Sequence, residues 1–201
     1  MADRYQTVLL FGAPGAGKGT QGALLGQIPG YFHMSTGDMF RSLDKQSELA
    51  QTFAEYSSKG ELVPDEVTIK CWHTYVQAQA TLGIFKPHSD LLILDGIPRT
   101  VAQAVIMENY IDVLGVVHLN AKNPEDMIQR LKKRALQSNR VDDAKDDVIR
   151  NRLDVYSKDT RPMLDHYDSS IVHEIDAVGS LGEVLKNILE VVVPIQDRCH
   201  S

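Results

Sequence analysis

Hydrophobic and polar positions along the chain follow two alternating periods. Short apolar runs, typical of strands buried on both faces, occur at residues 8–11, 31–34, 91–94, 115–119 and 170–175. Amphipathic stretches of helical period occur at residues 19–28, 65–80, 100–114, 124–136, 146–159 and 181–193. This alternation predicts an α/β fold in which helices cover both faces of a five-stranded parallel sheet.

Local signals mark some of the element boundaries. Thr100 and Asn123 are good N-cap residues, and Pro124 suits the first turn of a helix. Residues 35–63 and 135–147 fit the alternation poorly, because both segments are polar. The pattern leaves open whether they are surface helices and a loop or small flaps on the core.

Length and charge narrow the class of protein. The chain has 201 residues, of which 43% are hydrophobic, so it can form one domain with a core that needs no disulfide support. Its formal net charge of −6 argues against general binding to nucleic acid or anionic lipid. No apolar run approaches the roughly 20 residues of a membrane span, and the apolar run near the N-terminus is too short for a secretory signal.

The two cysteines lie far apart in the sequence. Neither Cys71 nor Cys199 belongs to a Cys-x-x-Cys pair, so we expect no structural zinc and no redox motif. We therefore expect a cytoplasmic protein, and a monomer by default.

The strongest local motif is a glycine-rich segment that runs from Gly12 to Thr20. It reads Gly-Ala-Pro-Gly-Ala-Gly-Lys-Gly-Thr, follows a predicted strand and opens a predicted helix, which is the context that a phosphate-binding loop requires. Successive backbone N–H groups and the helix N-terminus would face a polyphosphate, and Lys18 would reach its outer phosphates. The alternative is a tight turn with an exposed lysine.

The residue after this lysine departs from the general pattern. Ser or Thr usually stands there as a magnesium ligand, whereas here Gly19 follows Lys18 and Thr20 comes one position later. We therefore expect no direct protein ligand to Mg²⁺. The ion would be held by phosphate oxygens and by water, and Asp95 would contact it only through such a water.

A second segment is predicted to meet the glycine loop. Asp95 follows the apolar run at 91–94 and begins the sequence Asp-Gly-Ile-Pro-Arg, which ends at Arg99. Ligands of open α/β sheets collect at the carboxyl ends of the strands, so Arg99 is expected in the same crevice as the loop. Alone, the segment would indicate only a turn with a surface arginine.

Basic residues are concentrated between residues 130 and 161, which hold ten of the 21 lysines and arginines. Arg130 and Arg134 are four apart and share a helix face. In the next helix Arg152 falls inside the apolar stripe, whereas Arg150 lies about 125° from its centre. A buried arginine needs an anionic partner, so Arg152 is the better candidate for a phosphate contact. A salt bridge to a core carboxylate remains the alternative.

Taken together, these segments resemble the nucleoside monophosphate kinases, and within them the adenylate kinase family. The resemblance rests on residues 12–21, 35–41, 60–65, 95–99 and 140–143, in family order and spacing. Only five residues separate Arg134 from Arg140, which is similar to the short-lid form without an inserted zinc-binding subdomain. Ile97 stands where the family usually has an aromatic residue.

The resemblance implies a P-loop NTPase-type fold and Mg²⁺-dependent transfer of a phosphoryl group from ATP to AMP, which gives two ADP. It implies that ATP contacts Gly15, Ala16, Gly17, Lys18, Gly19, Thr20, Arg130, Arg134 and Gly179. It implies that AMP contacts Thr36, Arg41, Glu61, Leu62, Val63, Gly96, Ile97, Pro98, Arg99, Gln103, Arg140 and Arg152. The implied catalytic residues are Lys18, Arg99, Arg134, Arg140 and Arg152. The carboxamide of Gln103 suits an adenine edge, because it can donate and accept together.

The same resemblance predicts one kinase domain over residues 1–201. Its core would comprise 1–34, 64–134 and 148–201, with a mobile AMP-binding flap at 35–63 and a mobile short lid at 135–147, which close to exclude water. A kinase of UMP or CMP is one alternative. Thr36 argues against it, because the sequence at residues 35–38 is Ser-Thr-Gly-Asp, whereas the resemblance to pyrimidine kinases would imply Ser-Ala-Gly-Asp. A non-catalytic sensor of adenine nucleotides is another. We expect no catalytic role for the histidines.

Overall fold

Five parallel strands form the centre of the molecule. The computed structural model describes residues 4–121, 123–138 and 145–199. The strands are β1 (Tyr5–Gly12), β2 (Tyr31–Ser35), β3 (Leu91–Asp95), β4 (Ile111–Asn120) and β5 (Val172–Asp176). They pair in the order β2-β3-β1-β4-β5, and every pairing is parallel. The predicted fold class and the five predicted strands are confirmed.

Helices connect and cover the strands. The α-helices are α1 (Lys18–Leu25), α2 (Thr36–Ser42), α3 (Glu48–Lys59), α4 (Asp65–Thr81), α5 (Val101–Met107), α6 (Pro124–Ser138), α7 (Asp146–Val155) and α8 (Leu181–Cys199). A π-helical turn (Tyr156–Thr160) and two 3₁₀ helices (Arg161–His166 and Ser169–Ile171) lead from α7 to β5. No helix in the described parts of the chain combines the length and the hydropathy that a membrane crossing needs.

The sheet is buried on both faces, as the continuous apolar runs predict. Leu9 and Phe11 of β1 point into a cluster with Trp72 of α4, while the intervening Leu10 packs on the other face with Ile188 of α8. Each of these side chains is at most 3% exposed. Burial of this apolar surface on both sides holds the carboxyl ends of the strands in fixed positions.

The boundary between α5 and β4 differs from the prediction. A helix was expected over residues 100–114, but α5 ends at Met107 and β4 already begins at Ile111. Ile111 is the register partner of Tyr5 at the start of β1. Pairing with a distant strand therefore takes over residues that have a helical pattern locally.

Two further helices end elsewhere than expected. The stretch 146–159 divides into α7 and the π-helical turn. Helix α8 continues through Pro194 instead of stopping at residue 193. Ile195, just beyond the proline, is only 4% exposed, so the apolar packing of α8 on the sheet offsets the missing hydrogen bond.

Both predicted N-caps are confirmed. The Thr100 hydroxyl accepts from the backbone N–H of Gln103 at 3.1 Å, and Asn123 Oδ1 accepts from that of Glu125 at 3.1 Å. The polar segment 35–63 consists of α2 and α3 and contributes no strand beyond Ser35 at the end of β2. Of the predicted lid at 135–147, residues 139–144 lie outside the described residues, while the flanking parts belong to the end of α6 and the start of α7.

Candidate active site

A cleft of about 730 Å³ opens at the carboxyl ends of the strands. It lies beside β1 and β3, whose following segments leave toward opposite sides of the sheet. Ligands of doubly wound sheets bind at such a point. Of the residues proposed for ATP, the cleft is lined by Gly15, Ala16, Gly17, Lys18, Gly19, Thr20, Arg130, Arg134 and Gly179. Of those proposed for AMP, it is lined by Thr36, Arg41, Glu61, Leu62, Val63, Gly96, Pro98, Arg99, Gln103 and Arg152.

The glycine loop between β1 and α1 depends on close backbone contacts. Gly12 has a φ of 146°, and a Cβ atom there would lie 2.6 Å from the carbonyl oxygen of Leu119. At Gly15, with a φ of 89°, a Cβ atom would lie 2.8 Å from the carbonyl oxygen of Met127. Side chains are therefore excluded at both positions, and the loop turns tightly into the N-terminus of α1.

Lys18 folds back over this loop. Its ammonium group donates to the carbonyl oxygens of Gly12 at 2.6 Å and Ala13 at 3.2 Å. The pKa of Lys18 is lowered to about 8, mainly because its ammonium group is buried. Asp95 opposes this shift, whereas Arg99, Arg152 and Arg134 contribute to it. Arg99 lies in the segment between β3 and α5, Arg152 in α7 and Arg134 in α6. Three separate elements therefore bring positive charge to one point in the cleft.

One carboxylate stands beside the loop. Asp95, at the end of β3, is 7% exposed, and a Cβ atom at Gly19 would lie 3.7 Å from its Oδ2. The described residues contain no group of three His, Cys, Asp or Glu side chains that could hold a metal. A single buried carboxylate fits Mg²⁺ bound by phosphate oxygens and water, since this ion retains several waters in nucleotide sites.

The segment after β3 is held by its own hydrogen bonds. Thr36 Oγ1 donates to the carbonyl oxygen of Gly96 at 2.9 Å, and Arg99 Nε donates to the same carbonyl at 2.7 Å. The Ile97–Pro98 peptide is cis. Ile97 itself does not line the cleft, because its side chain is 2% exposed and packs in the core, although the resemblance assigned it to AMP.

Gln103 is almost completely buried, with 1% of its surface exposed. Its Oε1 accepts from the backbone N–H of Arg99 at 2.7 Å, and its Nε2 donates to Asp65 Oδ1 at 2.7 Å. The Thr100 hydroxyl donates to the other oxygen of Asp65 at 3.0 Å. The amide that was expected to read a base is thus held from two sides.

The ends of the cleft differ in their contacts. At one end Arg41 pairs with Asp38 at 2.7 Å. At the other end Arg130 Nη1 donates to the carbonyl oxygen of Ala177 at 3.2 Å, and Gln21 Nε2 donates to that of Leu181 at 3.2 Å. Arg130 and Gln21 therefore tie α6 and α1 to the turn that contains Gly179, a predicted ATP contact.

Helix α7 separates its two arginines as the periodicity predicts. Arg152 lines the cleft. The Arg150 side chain is 59% exposed and faces Glu125 at 3.6 Å. Arg140, which was assigned to AMP and to catalysis, lies outside the described residues.

Some lining or supporting residues were missed by sequence reasoning. Asp65 had been assigned no role, and an acidic residue in the first turn of a helix is easily taken for a favourable helix charge. Tyr156 and Thr160 also line the cleft. They follow Arg152 at intervals of four residues, so helical spacing could have found them.

Comparison with known proteins decides the family. The family model described as adenylate kinase matches residues 10–172. This chain belongs to the adenylate kinase family. It is 36% identical to an adenylate kinase of Flavobacterium psychrophilum over 192 residues, which are 92% of this chain and 97% of that protein. It is 40% identical to an adenylate kinase of Nocardia farcinica over 191 residues, covering 90% of this chain and 96% of that protein. An adenylate kinase of Kocuria rhizophila is 38% identical over 188 residues, covering 90% and 96%.

Membership in the adenylate kinase family defines the class of chemistry. Adenylate kinases are phosphotransferases that use Mg²⁺ together with ATP. Neither the comparisons nor the described part of the cleft favours a pyrimidine nucleotide kinase or a sensor without turnover.

Proposed function

We propose that this chain catalyses reversible transfer of the terminal phosphoryl group of ATP to AMP, which gives two molecules of ADP. The observation that carries the proposal is the convergence of Lys18, Arg99, Arg134 and Arg152 on one cleft. The glycine loop borders that cleft on one side and the buried amide of Gln103 on another. Such a cleft suits two phosphate chains that meet end to end.

The chemistry needs positive charge and alignment more than it needs a base. An oxygen of the AMP phosphate attacks the terminal phosphorus of ATP, and both reactants are anionic. Lys18, Arg99 and Arg152 offset this repulsion and stabilise charge on the transferring group. The attacking phosphate oxygen is already deprotonated near neutral pH, so no histidine is required.

The ATP side is formed by residues 15–20 together with Arg130, Arg134 and Gly179. Backbone N–H groups of the loop hold the phosphates, and the N-terminus of α1 adds favourable potential. Arg130 is fixed by its bond to the Ala177 carbonyl, so its guanidinium plane is available to stack on adenine beside the turn at Gly179.

The AMP side is formed by residues 61–63 and 96–98 together with Thr36, Arg41 and Gln103. Arg41 and Arg99 hold the AMP phosphate, in keeping with the preference of guanidinium groups for phosphate oxygens. Arg41 is paired with Asp38 in this structure, so AMP would have to compete with that carboxylate. Arg140 is proposed for the same phosphates on the resemblance alone.

Mg²⁺ enters with ATP as part of the substrate. When bound, it neutralises charge on the phosphate oxygens. Asp95 would hold one of its waters, since this carboxylate is buried next to the start of α1. Gly19 and Thr20 supply no direct ligand in this arrangement.

Residues 35–63 are proposed to act as an AMP-binding flap on a single domain whose core comprises 1–34, 64–134 and 148–201. Helices α2 and α3 make up most of this flap. We further propose that the flap moves over bound AMP to exclude water. A spectroscopic distance between α3 and the core should shorten when a bisubstrate dinucleotide is added, and a constant distance would refute the movement.

The decisive test is an acceptor panel. Formation of ADP from ATP is measured with AMP, CMP, UMP and GMP in turn, with and without Mg²⁺. We expect turnover with AMP that requires Mg²⁺. Faster turnover with UMP or CMP would favour a pyrimidine kinase, and tight ATP binding without any turnover would indicate a sensor.

The substrates and products, ATP, AMP and ADP, are proposed as the only partners of the site, and the chain is proposed to act as a cytoplasmic monomer. Light scattering at micromolar concentration should give a mass near the 22.4 kDa of one chain. A mass twice as large would contradict the proposal of a monomer.

A further inference from the structure

The orientation of the Gln103 amide is set by two partners of opposite character. The backbone N–H of Arg99 can only donate, and it meets Oε1 at 2.7 Å. The carboxylate of Asp65 accepts, and it meets Nε2 at 2.7 Å. Exchanging Oε1 and Nε2 would place donor against donor and carboxylate against carbonyl oxygen. The two contacts therefore specify one orientation.

Asp65 is itself held in place. Its second oxygen accepts from the Thr100 hydroxyl at 3.0 Å. That hydroxyl already accepts from the backbone N–H of Gln103 at 3.1 Å, so its hydrogen is directed to Asp65. The carboxylate therefore cannot turn away from Gln103 without leaving the N-cap hydroxyl of α5 without an acceptor.

After these contacts, Gln103 keeps one N–H and one lone pair of Oε1 for a ligand. Adenine presents an amino donor and a ring-nitrogen acceptor on its pairing edge, which complements that pair. A 6-oxopurine presents a carbonyl acceptor and a ring N–H donor, which is the reverse. Only an amide in the reversed orientation would match a 6-oxopurine. A site whose polar groups are mismatched to a ligand rejects that ligand strongly.

We propose that Asp65 is a positioning residue that selects 6-aminopurine over 6-oxopurine acceptors by fixing the orientation of Gln103. The inference rests on the proposed function, because it assumes that the base of the acceptor nucleotide lies against Gln103. Asp65 itself need not touch the nucleotide. Its influence is exerted through the amide.

The test compares Asp65→Ala with the wild type. kcat/KM is measured with ATP as donor and with AMP or IMP as acceptor, because IMP carries the reversed hydrogen-bonding edge. Without the carboxylate, Nε2 loses its acceptor and the amide can leave its orientation. We expect the AMP/IMP ratio to fall about tenfold or more, chiefly through a higher KM for AMP.

Two further variants separate positioning from a general structural effect. Glu66→Ala removes a carboxylate from the same first turn of α4, but Glu66 is exposed, so the ratio should not change. Asp65→Asn can still present its one oxygen to Nε2, but its amide nitrogen then faces the Thr100 hydroxyl, so the ratio should fall less than in Asp65→Ala. If Asp65→Ala does not fold, Asp65→Ser is measured in the same way and must show the same fall.

The results that would overturn this inference differ from those that would overturn the proposed function. The inference is overturned if removal of the Asp65 carboxylate leaves the AMP/IMP ratio within twofold of wild type, or if Glu66→Ala lowers it equally. Partial unfolding of a variant would lower kcat/KM for AMP and for IMP by the same factor, so it would leave the AMP/IMP ratio unchanged. If the wild type does not use AMP at all, the proposed function fails instead.

Discussion

Gly60 lies directly against Arg152. A Cβ atom at Gly60 would be 2.9 Å from Arg152 Cγ and 2.8 Å from the carbonyl oxygen of Val148. Beside this contact, Asn151 Nδ2 donates to the carbonyl oxygen of Lys59 at 2.7 Å. The end of α3, in the proposed flap, is therefore packed on the helix that carries an arginine of the cleft. The position of that arginine depends on the absence of a side chain at residue 60.

Gly60→Ala is expected to lower kcat by roughly tenfold or more, because the added methyl group displaces the Arg152 stem and small misplacements at a reacting centre are costly. Steady-state kinetics with saturating ATP and AMP would measure this. Gly60 also has a φ of +75°, so the effect of backbone strain has to be separated from that of the contact.

Gly83→Ala is the matched control for that strain. Gly83 has a φ of +70°, but nothing lies within 4 Å of its Cβ position. The substitution should cost about 1 kcal/mol of stability for the left-handed backbone and leave kcat within about twofold. Equal losses of kcat in both variants would show that the Arg152 contact is unimportant.

Arg99→Ala and Arg152→Ala are each expected to lower kcat by about 100-fold, because each removes positive charge from the transferring phosphoryl group. Arg150→Ala is the matched control on the same helix, since its side chain is 59% exposed. It should change kcat by less than about twofold. A loss smaller than threefold for either Arg99 or Arg152 would remove that residue from the reacting centre.

ATP binding should take up a proton in mildly alkaline solution. The pKa of Lys18 is about 8 in the free protein, chiefly because the group is buried, and a bound polyphosphate raises that pKa because it favours the charged form. As pH rises above 8, ATP affinity should fall, by up to about tenfold per pH unit. Well below pH 8, Lys18 is charged in both states and contributes no pH dependence.

Calorimetric titration with ATP at about pH 9, in two buffers of different ionisation enthalpy, measures the uptake. Lys18→Arg should abolish it, because a guanidinium group stays charged throughout this range. The same heat of binding in both buffers for the wild type would contradict the assignment.

Gly22→Ala should destabilise the fold. A Cβ atom at Gly22 in α1 would overlap the ring of His33 in β2. The improved helix propensity of alanine, about 1 kcal/mol, is outweighed by this overlap, so we expect a net loss of about 1–3 kcal/mol. Urea unfolding measures it. Introducing His33→Ala as well should remove most of the loss.

Gly182→Ala serves as the reference, because nothing lies within 4 Å of the Cβ position at Gly182 in α8. It should be neutral or stabilising by up to about 1 kcal/mol. If Gly22→Ala is also neutral or stabilising, the His33 ring does not obstruct a side chain at residue 22.

Much of the site could be predicted because its signals are local. The phosphate loop combines glycines, a lysine and a strand-to-helix transition within nine residues, from Gly12 to Thr20. The choice of Arg152 over Arg150 required only the helical period, which carries through α7. Sequence alone determined the five strands, the loop and the face of this arginine, since each depends on neighbours within one or two turns of the chain.

Tertiary structure decided the contacts between distant segments. The start of β4 at Ile111 depends on pairing with Tyr5, which overrides a helical pattern. The amide of Gln103 is held by Asp65, which is 38 residues away, and Arg152 packs on Gly60 from another helix. Residue patterns cannot specify such pairs, because the order of the strands and the packing of the helices determine which loops meet at the carboxyl edge of the sheet.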